Sequence, residues 1–276
     1  MARQNLEEML RAKPRKPVKL SATDAATTHG WSIKPAKEKT EENIRALEDL
    51  QYHLYADSRK SLLIVLQGID ASGKDGLIRK IFTAFNPQGT HVSSFKAPSS
   101  KELSHDFLWR VHDACPPRGS IGIFNRSHYE DLIVPMVNKS MKKNLIDQRI
   151  EQINNFELML TQEGTTVIKF LLHISRDEQW DRMKERLDEP TRNWKFNMGD
   201  LAERKRWDLY ISTYKKIISE TSTEDAPWYV IPANAKWFRN LAVSEIVKST
   251  LGAMKMQWPK TSIDLKIARK ELNRLR

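Results

Sequence analysis

The sequence predicts an α/β protein: a parallel five-stranded sheet flanked by helices, with a ligand at the carboxyl ends of the strands. Three observations carry this. Along 276 residues, β-rich apolar runs alternate with segments of helical period, and that alternation gives a parallel sheet covered on both faces. The run Leu62-Leu63-Ile64-Val65-Leu66 ends in a glycine turn, a lysine and a helix-like pattern. Polar residues suited to chemistry cluster at 68–76, 96–100, 125–131 and 175–196, just past four strands, where open parallel sheets bind ligands.

The glycine turn reads Gly68-Ile69-Asp70-Ala71-Ser72-Gly73-Lys74-Asp75-Gly76. Gly68, Gly73 and Lys74 have the spacing of a phosphate-binding loop, G-x-x-x-x-G-K-[ST]. A buried strand delivers the chain to a sharp turn that glycine permits. The following amides then face an anion at a helix N-terminus, and Lys74 adds a point charge. Asp75 stands where the pattern has a metal-binding Ser or Thr. Asp70 sits inside the loop, where phosphate repels it; a carboxylate there makes sense if a divalent cation or a nucleophile must also be held. The rival reading is a glycine-rich turn without a ligand, which the strand–turn–helix order disfavours.

In chain order, residues 1–35 form a basic N-terminal arm (Lys13-Pro14-Arg15-Lys16-Pro17, Lys34-Pro35) that packs over the surface or stays mobile. Residues 36–58 are helical, with Ile44, Leu47, Leu50 and Leu54 near one face. Strands follow at 62–66, 90–95, 120–124, 165–174 and 228–232, and helices at 101–114, 145–163, 176–188, 200–220 and 238–256. One domain spans 36–256, with a lid at about 176–220, and a basic tail covers 257–276.

The net charge of +11 implies an anionic partner: nucleic acid, a membrane surface or a polyanionic substrate. No apolar run approaches the roughly 20 residues of a membrane span, and the N-terminus lacks the apolar region of a signal peptide. The single cysteine, Cys115, rules out an internal disulfide and fits a reducing cytoplasm. The basic ends lack the interleaved aromatics of a single-strand nucleic-acid binder.

Asp131 lies past the third strand, where a second metal-organising carboxylate is wanted; with Asp70 it offers two oxygens to Mg²⁺, with Mn²⁺ as the other candidate. A helix cap is its bland alternative. Arg126 sits at the same strand end, either aimed into the crevice or paired with Glu130 or Asp131. Arg182 and Arg186 share a helix face, ready to neutralise a transferring phosphoryl group or to pair with Glu178, Asp181, Glu185 and Glu189. Trp180, Met183 and Leu187 are the expected packing face of that helix. Arg192, Trp194, Lys195 and Phe196 suit a closing lid. Lys96 reaches the acceptor side or is an ordinary solvated lysine. His128 reads as structural.

Together these residues resemble the polyphosphate kinase 2 family, over residues 40–256. The glycine loop is similar to that family's first motif, Asp75 included. Phe124-Asn125-Arg126-Ser127-His128-Tyr129-Glu130-Asp131 is similar to its second, and Arg186-Leu187-Asp188-Glu189-Pro190 with Trp194-Lys195-Phe196 to its lid. Phe95-Lys96-Ala97-Pro98 and Ala226-Pro227-Trp228-Tyr229-Val230-Ile231-Pro232-Ala233 add to the likeness.

The resemblance implies a P-loop kinase fold with a helical lid. The implied activity is Mg²⁺-dependent phosphoryl transfer between inorganic polyphosphate and nucleoside mono- and diphosphates. It places polyphosphate on Gly68, Ala71, Ser72, Gly73, Lys74, Asp75 and Gly76, and the nucleotide on Lys96, Asn125, Glu130, Arg186 and Lys195. Asp70, Lys74, Arg126, Asp131 and Arg182 become catalytic, with Asp70 and Asp131 holding metal. The His128-Tyr129-Glu130-Asp131 form points to the subgroup acting on both mono- and diphosphates. A homo-oligomer, a tetramer, is implied as well, with no nucleic-acid or membrane partner. The rivals are an ATP-dependent nucleotide kinase and a non-catalytic nucleic-acid-binding protein.

Overall fold

The structure, a computed structural model, describes residues 5–276. The first four residues of the basic arm, part of the segment read as lacking a leader, lie outside them. The chain runs through α1 (Leu6–Leu10), α2 (Ala22–Ala26), α3 (Ile33–Asp57), β1 (Ser61–Gln67), α4 (Lys74–Ile81), β2 (Thr90–Ser94), α5 (Ser100–Leu103) and α6 (Trp109–Asp113). It continues with β3 (Ile121–Asn125), α7 (Glu130–Asn138), α8 (Lys143–Gln162), β4 (Thr165–His173), α9 (Arg176–Asp188), α10 (Met198–Lys205) and α11 (Trp207–Thr221). The last elements are β5 (Trp228–Pro232), α12 (Lys236–Ala253) and α13 (Leu265–Arg274).

The five strands form one sheet in the order β2-β3-β1-β4-β5, every pair parallel. β1 is central and buried along its whole length. Its residues alternate between two cores, as the pleat demands. Leu62, Ile64 and Leu66 join Leu47, Leu54, Leu77, Leu241 and Ile246 of α3, α4 and α12. Leu63 and Val65 join Ile133, Ile153, Phe156 and Ile217 of α7, α8 and α11. The chain leaves β1 toward β2 and leaves β4 toward β5, so the crevice between the carboxyl ends of β1 and β4 is the switch point where such sheets bind ligands.

Residues 11–25 lie against the β5 edge. Arg11 bridges Tyr229 in antiparallel fashion, the Ala12 amide donates to the Trp228 carbonyl at 2.8 Å, and Asn234 N donates to Ala25 O at 3.2 Å. Leu6, Leu10, Ala12 and Leu20 are buried there. An edge covered in this way offers no open ladder to another chain. At the other end Trp258 stacks on His53 with ring centroids 4.3 Å apart, and α13 has no buried residue. No described helix is long and apolar enough to cross a membrane.

Several segments differ from expectation for local reasons. The helix read at 101–114 is two short ones: a capping box of Ser99 and Glu102 starts the first, and the Asp106 carboxylate accepts from Leu108 N at 2.9 Å, interrupting the run. The helix read at 200–220 breaks at Arg206 into α10 and α11. α7 begins within the 125–131 stretch, at Glu130, and went unread. Of the expected packing face of α9, Met183 is buried, but Trp180 and Leu187 are exposed and Arg182 is buried in their place. The arginine turns inward because loop carbonyls wait for it there.

Candidate active site

The loop between β1 and α4 is built by backbone that few residues tolerate. Gly68 has φ 149°, and a Cβ on it would sit 2.8 Å from the Leu172 carbonyl oxygen. Gly73 caps α4 in the left-handed region at φ 97°. Ala71 takes φ 66° without being glycine. α9 holds this loop from above. The Arg182 Nη1 donates to Ala71 O and Ser72 O, both at 2.9 Å. Its Nη2 donates to Ala233 O at 2.6 Å and Asn234 O at 3.1 Å, and its Nε to Glu178 Oε1 at 2.6 Å. All five N–H donors of a guanidinium are thus committed to protein. Gln179 adds a bond from Nε2 to Asp70 O at 3.1 Å.

Lys74 opens α4, and its ammonium rests on Gly68 O at 2.6 Å. Burial lowers its pKa, an effect that the nearby Asp70 opposes. Asp70 Oδ1 accepts from Arg126 Nη2 at 2.6 Å. Arg126 reaches it from a left-handed backbone at φ 64° just past β3, a strain of about 1–2 kcal/mol that its surroundings must offset. Burial works against the Arg126 charge, but Glu130 and Asp70 outweigh it and raise its pKa. Burial raises the pKa of Glu130, opposed by Arg126 and Lys74. Asn125 donates to Asp75 Oδ1 at 2.8 Å.

Two cavities meet at Asp70 and Arg126, which line both. The larger is an open cleft of about 930 Å³ over the loop. Its walls carry ten cationic side chains (Lys74, Arg79, Lys96, Arg126, Arg182, Arg186, Arg192, Lys195, Lys236, Arg239) against three carboxylates (Asp70, Asp75, Glu185). The smaller, about 200 Å³, lies between α7, α9 and α11. It is lined by Ile133, Val134, Trp207, Tyr210 and Tyr214 with Glu130, Asn138 and Gln179 among its polar groups. Arg182, Glu185, Arg186, Thr191, Arg192, Trp194 and Lys195 wall one side of the cleft. Arg192 pairs with Glu185, and Arg186 with Asp200 at 3.2 Å.

A cleft with ten cations against three carboxylates and a loop of phosphate-binding spacing as its floor, and an aromatic cavity beyond an aspartate, is a geometry for two anionic substrates of different kinds. The comparisons agree. The model of the family described as polyphosphate kinase 2 matches residues 30–259. The chain belongs to the polyphosphate kinase 2 family. It is 52% identical over 215 residues to the AMP/ADP-polyphosphate phosphotransferase of Meiothermus ruber, covering 78% of this chain and 80% of that one. It is 44% identical over 245 residues to the ADP-polyphosphate phosphotransferase of Rhodopseudomonas palustris, covering 84% of each. The crystal structure of polyphosphate kinase 2 from Arthrobacter aurescens TC1 superposes with TM-score 0.94 at 38% identity, over 98% of this chain and 97% of that one. The chain is thus a kinase-type transferase of this family, on the fold expected of it.

Within this family frame, Asp70 and Arg126 line both cavities, and the other expected site residues fall in three places. Ala71, Ser72, Gly73, Lys74, Asp75, Gly76, Lys96, Asn125, Arg182, Arg186 and Lys195 line the cleft. Gly68 and Glu130 line the aromatic cavity instead, so Glu130 stands apart from the other residues expected on the nucleotide. Asp131 lines neither. Its carboxylate accepts from Arg110 at 3.2 Å, and its carbonyl from Arg149 at 2.7 Å. His128 is fully buried, 3.2 Å from Glu157.

The described residues hold no group of three or more His, Cys, Asp or Glu that could bind a metal. That fits Mg²⁺, which uses one or two carboxylates and completes its shell with substrate phosphates and water. Asp70 is the carboxylate open to both cavities.

Sequence reasoning missed Arg239, Lys236 and Arg79 in the cleft, and Gln179, Trp207, Tyr210 and Tyr214 around the smaller cavity. The first two follow the last strand, whose carboxyl end belongs to the same rim, so the strand-end rule could have found them. The aromatics of α11 had no such signal, because helical spacing does not tell a cavity-lining face from a packed one.

Proposed function

We propose that this chain transfers the terminal phosphoryl group of inorganic polyphosphate to nucleoside mono- and diphosphates, forming ADP and ATP reversibly. The observation that carries the reading is the Asp70–Arg126 pair, standing where a large cationic cleft meets a small aromatic cavity. Polyphosphate has no base or ribose, so its half of the site needs only cations, and a basic cleft takes a chain of any length. The nucleoside needs apolar faces and a few polar groups, which the second cavity offers. The names of the relatives, which include AMP and ADP, support acceptors of both lengths.

In this arrangement Lys74 and the amides of residues 71–76 hold the donor's terminal phosphates. Arg126 draws the acceptor phosphate to Asp70, which orients it. An acceptor oxygen attacks the terminal phosphorus in line, the bond from that phosphorus to its bridging oxygen breaks, and the shortened chain keeps the bridging oxygen and its charge. Mg²⁺ or Mn²⁺ would be held by Asp70, with Asp131 as the second carboxylate, and would neutralise charge shared by the two phosphates. Transfer of this kind needs alignment and charge neutralisation more than covalent work. The reading includes a cytoplasmic homo-oligomer, a tetramer, with the exposed apolar side chains of α13 as one available surface.

The test is purified protein with Mg²⁺, polyphosphate and either AMP or ADP. ATP from ADP is expected, and ATP or ADP from AMP. No product from either acceptor sinks the proposal, and equal turnover with ATP as donor turns it into an ordinary nucleotide kinase. Asp70→Asn and Asp131→Asn are each expected to lower kcat by at least about 100-fold, the scale of losing a key electrostatic element. Near-normal rates in both remove their roles. Binding of nucleic acid that is indifferent to Asp70→Asn, without turnover, favours the nucleic-acid reading.

A further inference from the structure

Two arginines of the described residues are buried at the phosphate loop, and they differ in what surrounds them. Arg182 has a carboxylate, Glu178, and four carbonyls. Arg239 on α12 is 3% exposed, and its hydrogen bonds are to neutral oxygens. Nη1 donates to Gly73 O at 3.2 Å, and Nε and Nη2 to Asn240 Oδ1 at 3.2 and 2.8 Å. No carboxylate lies within ion-pair distance of it among the described residues. Its guanidinium spans the first turn of α4. A Cβ on Gly73 would be 2.3 Å from Nη1, and one on Gly76 would be 3.9 Å from Nη2.

Apart from those hydrogen bonds, the placement works against a cation in three ways. Burial, and after it the neighbouring Arg182, push its pKa down to about 10. A helix N-terminus is itself the positive end of a dipole, and a buried charge without a counter-charge is costly. Yet the side chain lines the cationic cleft. An anion entering the cleft at the loop would remove all three penalties together.

We propose that Arg239 is a donor-binding residue, its guanidinium taking non-bridging oxygens of the polyphosphate chain at the loop beside Lys74. The free protein keeps the arginine charged and uncompensated, and the bound phosphates supply the missing partner. Arg182, by contrast, is a positioning residue that holds the loop's shape and has no N–H left for substrate. This assignment rests on the donor reading of the cleft.

The experiment is calorimetric titration with tripolyphosphate at fixed free Mg²⁺ and no nucleotide, paired with melting of the ligand-free protein. Wild type, Arg239→Met and Arg239→Lys are compared. Arg239→Met is expected to bind at least about 10-fold more weakly, the range of a charge-assisted hydrogen bond. Its ligand-free melting temperature should equal or exceed that of wild type, because a costly charge has gone. Arg239→Lys should fall between the two in affinity.

Wild-type binding with undiminished affinity in Arg239→Met overturns the assignment and leaves the donor reading standing. No binding by wild type overturns both. A ligand-free melting temperature lowered by more than about 5 °C in Arg239→Met makes the arginine a brace for Gly73 and overturns the assignment. Should that variant not fold, Arg239→Gln is read on the same two measurements.

Discussion

Gly73 shows how one backbone position sets the site. Its φ of 97° places it in the left-handed region, where a side chain costs about 1–2 kcal/mol. The added Cβ would also lie 2.3 Å from Arg239 Nη1 and 3.4 Å from Arg182 Nη1. Both atoms end long side chains, so the protein can yield, but it yields at the proposed donor cradle. Gly73→Ala is therefore expected to raise the KM for polyphosphate at least about 10-fold while the KM for ADP changes little, with a melting temperature lower by about 2–5 °C. Initial-rate kinetics with each substrate varied in turn check this. Equal changes in both KM values would show that the loop does not separate the substrates.

At the scale of elements, a buried polar cluster ties β4, α8, α11 and the start of α7 together. Lys169 Nζ pairs with Glu157 and donates to Thr221 O at 2.8 Å and to Tyr129 Oη at 3.1 Å. Tyr129 Oη donates to Glu157 Oε1 at 2.8 Å. Burial lowers the pKa of Lys169, against the pull of Glu157. Burial works to raise that of Glu157, but Lys169 and His128 outweigh it and leave it lowered. Removing one partner strands the other charge in the core, which costs about 3–5 kcal/mol. Lys169→Met is expected to lose that much in urea unfolding, and the Glu157→Gln, Lys169→Met double variant to recover part of it. Additive losses would show that the pair is not coupled.

A second device joins α3 to the tail. Asp57 accepts from Arg59 Nε at 2.8 Å and Nη2 at 2.7 Å, and also from the Gln257 amide. Chiefly through Arg59, its pKa lies well below the carboxylate range. A pKa depressed by folding stabilises the protein above the unfolded value of about 3.9, and that contribution is lost as pH falls through the folded value. Asp57→Asn should melt below wild type at pH 7, with the gap shrinking once the pH drops under about 4. A constant gap from pH 7 to pH 3 refutes it.

For the whole molecule, the charge distribution matters more than any pair. A net charge of +11 is focused where ten cations and three carboxylates line one cleft. Clefts of one sign attract a polyanion over long range, and salt shortens that range from about 10 Å at 0.1 M to about 3 Å at 1 M. Raising KCl from about 0.1 M to about 1 M should raise the KM for polyphosphate several-fold and the KM for ADP less, with kcat nearly constant. Equal responses would place both substrates in the same field. The N-terminal residues act at this scale too, since they cover the β5 edge that the sheet would otherwise leave open.

The sequence by itself determined the strands, their parallel arrangement, the phosphate loop and the rim on which the site lies. These follow from hydrophobic period and from glycine spacing, which are properties of neighbouring residues. Its five strand segments match β1 to β5 to within a residue or two. Only the tertiary structure decided which way α9 turns, because Arg182 is buried by carbonyls at residues 71, 72, 233 and 234 rather than by its own helix. It likewise set Asp131 on Arg110, brought Arg239 of α12 over the first turn of α4, and made an aromatic cavity from α7, α9 and α11. Each of these depends on where one element lands against another, at separations from 21 positions for Arg110 and Asp131 to 166 for Gly73 and Arg239, and no local pattern encodes such a meeting.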